Sequence, residues 1–347
     1  MARIDAALKV AVQAKASDLH VATGMPYVIR QFGRLKKGDS QQLSPETSKS
    51  LIYEILSPKQ RQVLEEHLQL DFSYQIEGVA RFRGNVILQR KGLDANFRVI
   101  PLKIPTLDEL GLPPVVRKFC DFHQGLILVT GATGQGKSTT LASMIDLINS
   151  TRPLHVLTIE DPIEFVHPIK KGLVNQRQVG LHTRSFANAL RAALREDPDV
   201  IMVGELRDLD SVRLAVTASE TGHLVMGTLA TSSGPKTVDR LIDSFPSDEQ
   251  NQIRTLLAEG LRAVITQKLL PASDGKGQIM ATEILVATVP VANLIRSEKT
   301  YQLPSIMQTG RAQGMQAMDD SIMQLMHAGR ISPQTAQDYA ENKKRFS

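Results

Sequence analysis

One stretch of the chain has the residue types and the spacing of a phosphate-binding loop. It reads Gly131-Ala132-Thr133-Gly134-Gln135-Gly136-Lys137-Ser138, which fits the pattern G-x-x-x-x-G-K-[ST]. Glycine backbones let successive N–H groups turn toward phosphate oxygens, and a helix that begins there adds its positive end. A chance match is expected about once in a hundred chains of this length. The sequence therefore predicts a site for a nucleoside triphosphate.

The residue types within this loop suggest separate roles. Lys137 is expected to meet the β- and γ-phosphates and to take part in catalysis, and the Ser138 hydroxyl is expected to bind Mg²⁺. ATP and Mg²⁺ are the implied cofactors. The other predicted nucleotide contacts within the loop and the start of its helix are Gly134, Gln135, Gly136 and Thr139.

Two acidic segments supply groups that hydrolysis needs. The apolar run Val200 to Val203 leads to Glu205, and the run that ends at Ile159 leads to the carboxylates of Glu160, Asp161 and Glu164. In a parallel sheet, groups that follow neighbouring strands converge on one crevice. A carboxylate there can hold a metal shell or orient the attacking water. Any one acid alone would more often be a helix cap or a solvated side chain.

The elements that must position these groups follow from the apolar pattern. Continuous apolar runs at 126–130, 156–159, 200–203 and 224–229 alternate with helical segments, which is typical of strands buried on both faces of a parallel sheet. The pattern after about residue 250 predicts mostly helix, including 319–328 and 333–344. The end of the chain, 342–345, is expected to be frayed and solvated.

The first hundred residues predict a smaller α+β domain. Strands are expected at 19–22, 27–31, 71–76, 79–88 and 95–99, and Ser44 and Ser57, each followed by proline, are expected to begin helices. The expected domains are therefore 1–100, a linker at 101–112, and 113–347.

Composition limits the class of protein. The chain has 347 residues, of which 42% are hydrophobic, and no apolar run long enough to span a bilayer or to serve as a signal peptide. A single cysteine, Cys120, excludes an intrachain disulfide and favours a reduced, cytoplasmic setting. The net charge is +5, but aromatic residues are only 4% and tryptophan is absent. An ordinary soluble surface is favoured over a nucleic-acid interface, so no nucleic-acid partner is expected.

Further motifs follow one another in a fixed order: Ser17-Asp18-Leu19-His20, Ala80-Arg81-Phe82-Arg83, Phe97-Arg98-Val99-Ile100-Pro101, Ile159 to Phe165, Gly204-Glu205-Leu206-Arg207-Asp208 and Thr221-Gly222-His223. In this order they resemble the retraction ATPases of type IV pili, the PilT/PilU group within the secretion-ATPase superfamily. The resemblance covers nearly the whole chain. It implies an α/β fold, with a RecA-like P-loop core behind a smaller N-terminal PAS-like domain.

The resemblance also implies roles for individual residues. It makes Glu164, in the family's Asp box, the general base, and Glu205 the Walker B carboxylate that holds Mg²⁺ directly or through water. Arg81, Arg83 and Arg98 match arginines that reach a nucleotide, their own or a neighbour's. Judged by the residues alone, Arg81 and Arg83 would instead line a solvent-facing side of a strand. His223 opens the His box and is expected near the nucleotide and the subunit junction.

The resemblance implies an ATP-hydrolysing hexameric motor that powers type IV pilus retraction and twitching motility by depolymerising pilin. Its expected partner is the inner-membrane platform protein of the pilus. Its expected location is the cytoplasm, peripheral at the inner face of the cytoplasmic membrane.

The chain departs from the family pattern in two places. Ala230 stands where the His box has its second histidine, and Pro290 and Ala292 replace an alanine and an arginine in the motif 290–296. A weakly active regulatory ring is therefore one alternative. The others are a RecA-like nucleic-acid translocase and a pilus-extension or type II secretion ATPase. The last class usually carries a longer N-terminal region and a four-cysteine zinc insert, and one cysteine argues against it.

Overall fold

A computed structural model describes residues 2–346. Residue 1 of the predicted domain 1–100 and residue 347 of the predicted domain 113–347 therefore lie outside the described residues. The chain forms two compact units. Of the described residues, the first unit contains 2–103 together with Pro162–Val166, and the second contains Ile104–Asp161 and 167–346. The segment Pro162–Val166, which carries Glu164, thus groups with the first unit although it lies between two stretches of the second.

The first unit is built on a six-stranded antiparallel sheet with the strand order β3-β2-β1-β6-β5-β4. Its elements are α1 (Ile4–Gln13), β1 (Asp18–Val21), β2 (Val28–Gln31), β3 (Arg34–Lys37), α2 (Pro45–Ile55), α3 (Pro58–His67), β4 (Gln69–Ile76), β5 (Ala80–Gln89) and β6 (Gly92–Ile100). The five predicted strands are present. β3 was not predicted, because its four residues are all exposed and carry no apolar alternation.

Alternation along β5 and β6 separates a core face from a polar face. Phe82 and Phe97 are fully buried and pack with the apolar side chains of α1 and α2, while the arginines occupy the intervening positions. The predicted helix starts are confirmed, since the hydroxyls of Ser44 and Ser57 each accept a hydrogen bond from a backbone N–H of the first turn.

The second unit is built on a seven-stranded sheet with the order β13-β12-β7-β11-β10-β8-β9. Its elements are α4 (Val115–Phe119), β7 (Gly125–Thr130), α5 (Lys137–Thr151), β8 (His155–Glu160), β9 (Leu173–Gln178), α6 (Phe186–Ala193), β10 (Val200–Val203), α7 (Leu209–Glu220), β11 (Leu224–Leu229), α8 (Gly234–Asp243), α9 (Gln250–Gly260), β12 (Leu261–Pro271), β13 (Gln278–Val286), α10 (Val289–Arg296), α11 (Leu303–Thr309), α12 (Met318–His327) and α13 (Pro333–Tyr339).

All neighbouring strands from β12 to β9 pair in parallel, and only β13 runs antiparallel. Successive residues of β7 belong to different cores: Leu126 and Leu128 pack with α6 to α10, and Ile127 and Val129 pack with α4 and α5. This two-faced burial confirms the predicted α/β class. Among the described residues, no helix is both long and apolar enough to cross a membrane.

The prediction of a mostly helical region after residue 250 is wrong for β12 and β13, two long strands in the same sheet. Residues 342–345 are exposed as predicted, but the prediction that they are frayed is wrong. Phe346 is buried, and the guanidinium of Arg345 donates to Asp320 at 2.8 Å. The carboxylate of Asp319 accepts hydrogen bonds from the backbone N–H groups of Glu341 and Asn342, so the terminus is attached to α12.

Cys120 follows α4 and is 2% exposed. Its Sγ lies 3.7 Å from the carbonyl oxygen of Val116. Burial, aided by the neighbouring Asp121, raises the pKa of the thiol to about 12.

Candidate nucleotide-binding site

The predicted phosphate-binding loop connects β7 to α5. Gly131, Gly134 and Gly136 have φ values of +139°, +83° and +82°, which side chains with a Cβ rarely adopt. At Gly131 a Cβ would also lie 2.6 Å from the backbone oxygen of Gln267. Gly136 is the N-cap of α5 and provides no side-chain cap, so the first N–H groups of this 15-residue helix are available to an anion.

Lys137 and Ser138 begin α5. The Nζ of Lys137 donates to the carbonyl oxygens of Gly131 and Ala132 at 2.8 and 3.0 Å, so the ammonium group lies over the loop rather than in solvent. Ser138 is exposed and Thr139 half-buried. The backbone and cationic groups that a triphosphate requires therefore occur together at this helix start.

Gln135 braces the loop. Its side-chain Oε1 accepts a hydrogen bond from the backbone N–H of Leu269 on β12, and its carbonyl oxygen accepts from the side-chain amide of Gln267 at 3.2 Å. Its own N–H is directed to the carbonyl oxygen of Ala132 at 3.3 Å. The Gln135 side chain is therefore turned to the sheet, and it holds the loop against β12.

Replacing Gln135 with alanine is expected to raise the KM for ATP about fivefold, with a smaller change in kcat. The reason is that the loop loses a hydrogen bond worth about 1 kcal/mol and must be ordered by the ligand instead. Steady-state kinetics with the exposed substitution Gln302→Ala as control would measure this. An unchanged KM would show that the hydrogen bond between Gln135 and Leu269 does not order the loop.

The carboxyl ends of the parallel strands bring further groups to the same edge of the sheet. Thr130, the last residue of β7, pairs with Leu229 at the end of β11. Val203 of β10 pairs with Ile159 of β8, so Glu160, the last residue of β8, and Glu205, which follows β10, lie at the ends of adjacent strands. The phosphate-binding loop, these two acids and the loop 230–233 after β11 share one edge, as predicted for a crevice at the strand ends.

Glu160 and Glu205 have different surroundings. Glu160 is buried and accepts hydrogen bonds from the Thr158 hydroxyl at 2.7 Å and the Gln176 amide at 3.1 Å. Glu205 has a side chain 31% exposed and pairs with the exposed guanidinium of Arg207 at 2.6 Å. This hydrogen bond raises the pKa of Arg207. Glu160 is thus held within the protein, and Glu205 is accessible from the crevice.

The residues that could hold Mg²⁺ fit its usual mode of binding. Among the described residues there is no group of three or more His, Cys, Asp or Glu side chains that could hold a metal ion. Mg²⁺ commonly binds through one or two protein groups together with substrate phosphates, and does not need such a cage. Ser138 and Glu205 are of the required type.

Arg81, Arg83 and Arg98 lie on one face of the sheet in the first unit. Arg83 pairs across strands with Arg98, and Arg98 pairs with Asp18. Asp18 is buried, and its carboxylate lies 3.1 Å from Nε of Arg98 and 3.9 Å from Nε of Arg30. Asp18 was not predicted as a site residue, although it belongs to the motif Ser17-Asp18-Leu19-His20. The structure makes it the anion that orients Arg98.

His223 precedes β11, at the opposite end of that strand from the phosphate-binding loop. Its carbonyl oxygen accepts from Gly125 at the start of β7, and the six residues of β11 extend about 20 Å. Its Nδ1 lies 3.1 Å from the carbonyl oxygen of Ala218. The expectation that His223 adjoins the nucleotide is therefore not met within its own subunit.

Three polar residues of β12 and β13 near the loop were not predicted. Thr266 shares a 2.8 Å hydrogen bond with Thr130, Gln267 braces Gln135, and Glu283 accepts from the backbone N–H of Gly234 at 2.6 Å. Assigning 261–271 and 278–286 as strands would have placed Thr266 and Gln267 beside β7 and Glu283 one strand further out, but the pairing of these strands is long-range and only the fold reveals it.

A phosphate-binding loop at the carboxyl edge of a mainly parallel sheet, with Glu205 following β10 at the same edge, defines a P-loop ATPase with a RecA-like core. The family model described as "Type II/IV secretion system protein" matches residues 1–345. The type IV pilus retraction ATPase PilT of Pseudomonas aeruginosa is 49% identical over 95% of this chain and 96% of its own length. The twitching motility protein of Neisseria gonorrhoeae is 47% identical over 97% and 90%.

A solved structure gives the same result. The crystal structure of the pilus retraction motor PilT with bound ADP superposes with a TM-score of 0.88, at 47% identity, over 98% of this chain and 97% of that one. The chain belongs to the type II/IV secretion system protein family, and within it to the type IV pilus retraction ATPases.

Proposed function

We propose that this chain is the motor subunit that uses ATP hydrolysis to power type IV pilus retraction, and hence twitching motility. The observation that carries the proposal is the phosphate-binding loop, with Lys137 over it and Glu205 at the same sheet edge. Similarity to a retraction ATPase over nearly the whole chain supports the pilus as the structure on which this motor acts. The resemblance to that group also supports a homo-hexamer, and a pilus platform protein at the inner face of the cytoplasmic membrane as its partner.

In the proposed reaction, water attacks the γ-phosphorus of ATP, its proton passes to the Glu164 carboxylate, and ADP leaves. Lys137 and the N–H groups at the start of α5 hold the phosphate oxygens. Mg²⁺, held by Ser138 and Glu205, would neutralise charge on those oxygens. Arg81, Arg83 and Arg98 would add guanidinium groups to a nucleotide of the same or a neighbouring subunit.

We further propose that hydrolysis drives motion between domains 1–100 and 113–347, with residues 101–105 of the linker as the hinge. ATP and its products would make different contacts, and such differences shift the balance between domain arrangements. His223 would act at the subunit junction, in keeping with its distance from the phosphate-binding loop of its own chain.

Deleting the gene in its host and imaging labelled pili would test this function. The expected result is an accumulation of surface pili that extend but do not retract, restored by the intact chain and not by Lys137→Ala. Loss of all surface pili would favour an extension ATPase. Normal retraction would contradict the proposal.

A second candidate function is favoured by one observation. Ala230 leads the loop 230–233 beside the phosphate-binding loop, and its methyl group can neither donate a hydrogen bond nor titrate. A regulatory ring that binds nucleotide and turns over slowly would fit this position. The ATPase rate of the protein and of Ala230→His distinguishes the two functions.

A further inference from the structure

A buried acid outside the predicted site, Glu283, is hydrogen-bonded to the first residue of α8. Glu283 lies on β13 and is 6% exposed. Its Oε1 accepts the backbone N–H of Gly234, the first residue of α8, at 2.6 Å. Gly234 lies so close to β13 that an added Cβ would be 3.0 Å from Cβ of Leu285. The carboxylate therefore fixes the point at which this helix begins.

This contact is connected to the phosphate-binding loop by the sheet. Glu283 pairs with Thr266, Thr266 pairs with Thr130, and Thr130 pairs with Leu229. The hydroxyls of Thr130 and Thr266 are 2.8 Å apart. Thr130 immediately precedes Gly131, and Leu229 immediately precedes the loop 230–233, which is followed by Gly234. Glu283 thus holds one end of a four-residue loop whose other end lies next to the phosphate-binding loop.

We propose that Glu283 is a positioning residue for ATP hydrolysis, which fixes the loop 230–233 beside the phosphate-binding loop and makes its geometry depend on the protonation of one buried carboxyl. The inference rests on the ATPase function proposed above. The four side chains of the loop itself are Ala230, Thr231, Ser232 and Ser233, none of which titrates near neutral pH. A pH dependence of the loop geometry can therefore come from Glu283, which holds the end of the loop.

The surroundings of Glu283 place its charge change near neutral pH. Burial raises the pKa of Glu283 to about 7, against the lowering effect of the hydrogen bond from Gly234. Glu341 raises it further, and Lys268 on β12 and Lys236 on α8 lower it. The acids of α12 are bound elsewhere, Asp319 to backbone N–H groups near 341 and Asp320 to arginines.

Ionisation of Glu283 has opposite effects on the anchor and on the fold. The ionised carboxylate accepts a charge-assisted hydrogen bond at the positive end of α8, so the anchor is strongest above pH 7. Because the folded-state pKa lies above its ordinary value of 4.5, the stabilisation by the buried neutral acid is complete below pH 4.5 and is lost as the pH rises through about 7.

The test compares the intact protein with Glu283→Gln between pH 6 and 8.5, measuring kcat/KM for ATP and the melting temperature without nucleotide. Glutamine keeps an acceptor of the same shape but does not titrate. The intact protein is expected to gain roughly fivefold in kcat/KM through an inflection near pH 7, the difference between a charged and a neutral acceptor. Glu283→Gln should lack this inflection, and its melting temperature should rise relative to the intact protein as the pH increases.

The exposed substitution Glu220→Gln is the matched control and should keep both profiles. A merely structural role would lower activity equally at every pH. An unchanged pH profile in Glu283→Gln would overturn the inference. If that variant does not fold, Glu283→Asp keeps the charge but withdraws it from Gly234, and an unchanged inflection and rate there would overturn it instead. If the intact protein is no faster than Lys137→Ala, the ATPase function fails, while the melting profiles still report whether Glu283 titrates.

Discussion

Replacing Lys137 with alanine is expected to reduce ATP hydrolysis by at least roughly a hundredfold, the usual effect of removing one charge-stabilising group from a transition state. The ammonium group lies over the phosphate-binding loop, 2.8 Å from the Gly131 carbonyl oxygen, where developing charge on the γ-phosphate would be neutralised. Phosphate release at saturating ATP measures the rate, and nucleotide titration measures the affinity, which should also fall.

Two comparisons make this result specific. Lys171→Ala removes an exposed lysine from the same unit and should leave the rate unchanged. The melting temperature of Lys137→Ala should stay close to that of the intact protein, because the lost side chain contributes no core packing. If neither the intact protein nor Ala230→His hydrolyses ATP faster than Lys137→Ala, the motor proposal has no support.

Replacing Glu164 with glutamine is expected to lower kcat by about 10² to 10⁴, the range for loss of a general base. Glutamine is nearly isosteric but cannot accept the proton of the attacking water. ATP affinity should be retained, because the groups that hold the phosphates are on the loop 131–139. Single-turnover hydrolysis and nucleotide binding, measured together, separate the two effects.

The matched substitution Glu77→Gln lies in an exposed turn of the same unit and should change neither quantity. Glu205→Gln should act differently from Glu164→Gln, because it removes a predicted metal group and should raise the Mg²⁺ concentration needed for half-maximal rate. A Glu164→Gln protein that keeps its kcat would remove Glu164 from the role of base and leave the identity of that group open to Glu160 or Glu205.

The parts of the fold that were predictable are those encoded in short stretches. The strands β7, β8, β10 and β11 are continuous apolar runs, and the loop after β7 is a motif of eight residues, so local sequence identifies both. β12 and β13 were missed because their polar residues, such as Thr266, Gln267 and Glu283, interrupt the apolar pattern. These residues make contacts with residues 49 to 136 positions away in the chain, which no local window contains.

The site was predictable to a similar extent. Local sequence was enough to predict Lys137, Ser138 and Glu205 as site residues, but it could not show that the Gln135 side chain bonds to β12. Nor could it show that Asp18 orients Arg98, because that contact joins strands 80 residues apart. The direction of β11 places His223 at the end of the strand far from the phosphate-binding loop. Resemblance alone had placed this residue near the nucleotide.

The burial of Cys120 has a practical consequence for measuring motion. A thiol whose pKa is about 12 has a negligible thiolate fraction at neutral pH, and thiolate is the form that reacts with maleimide dyes. Since the chain has one cysteine, a pair of surface cysteines can be introduced into the otherwise natural sequence and labelled selectively. Energy transfer between dyes on the two units could then be followed during turnover without first removing a native thiol.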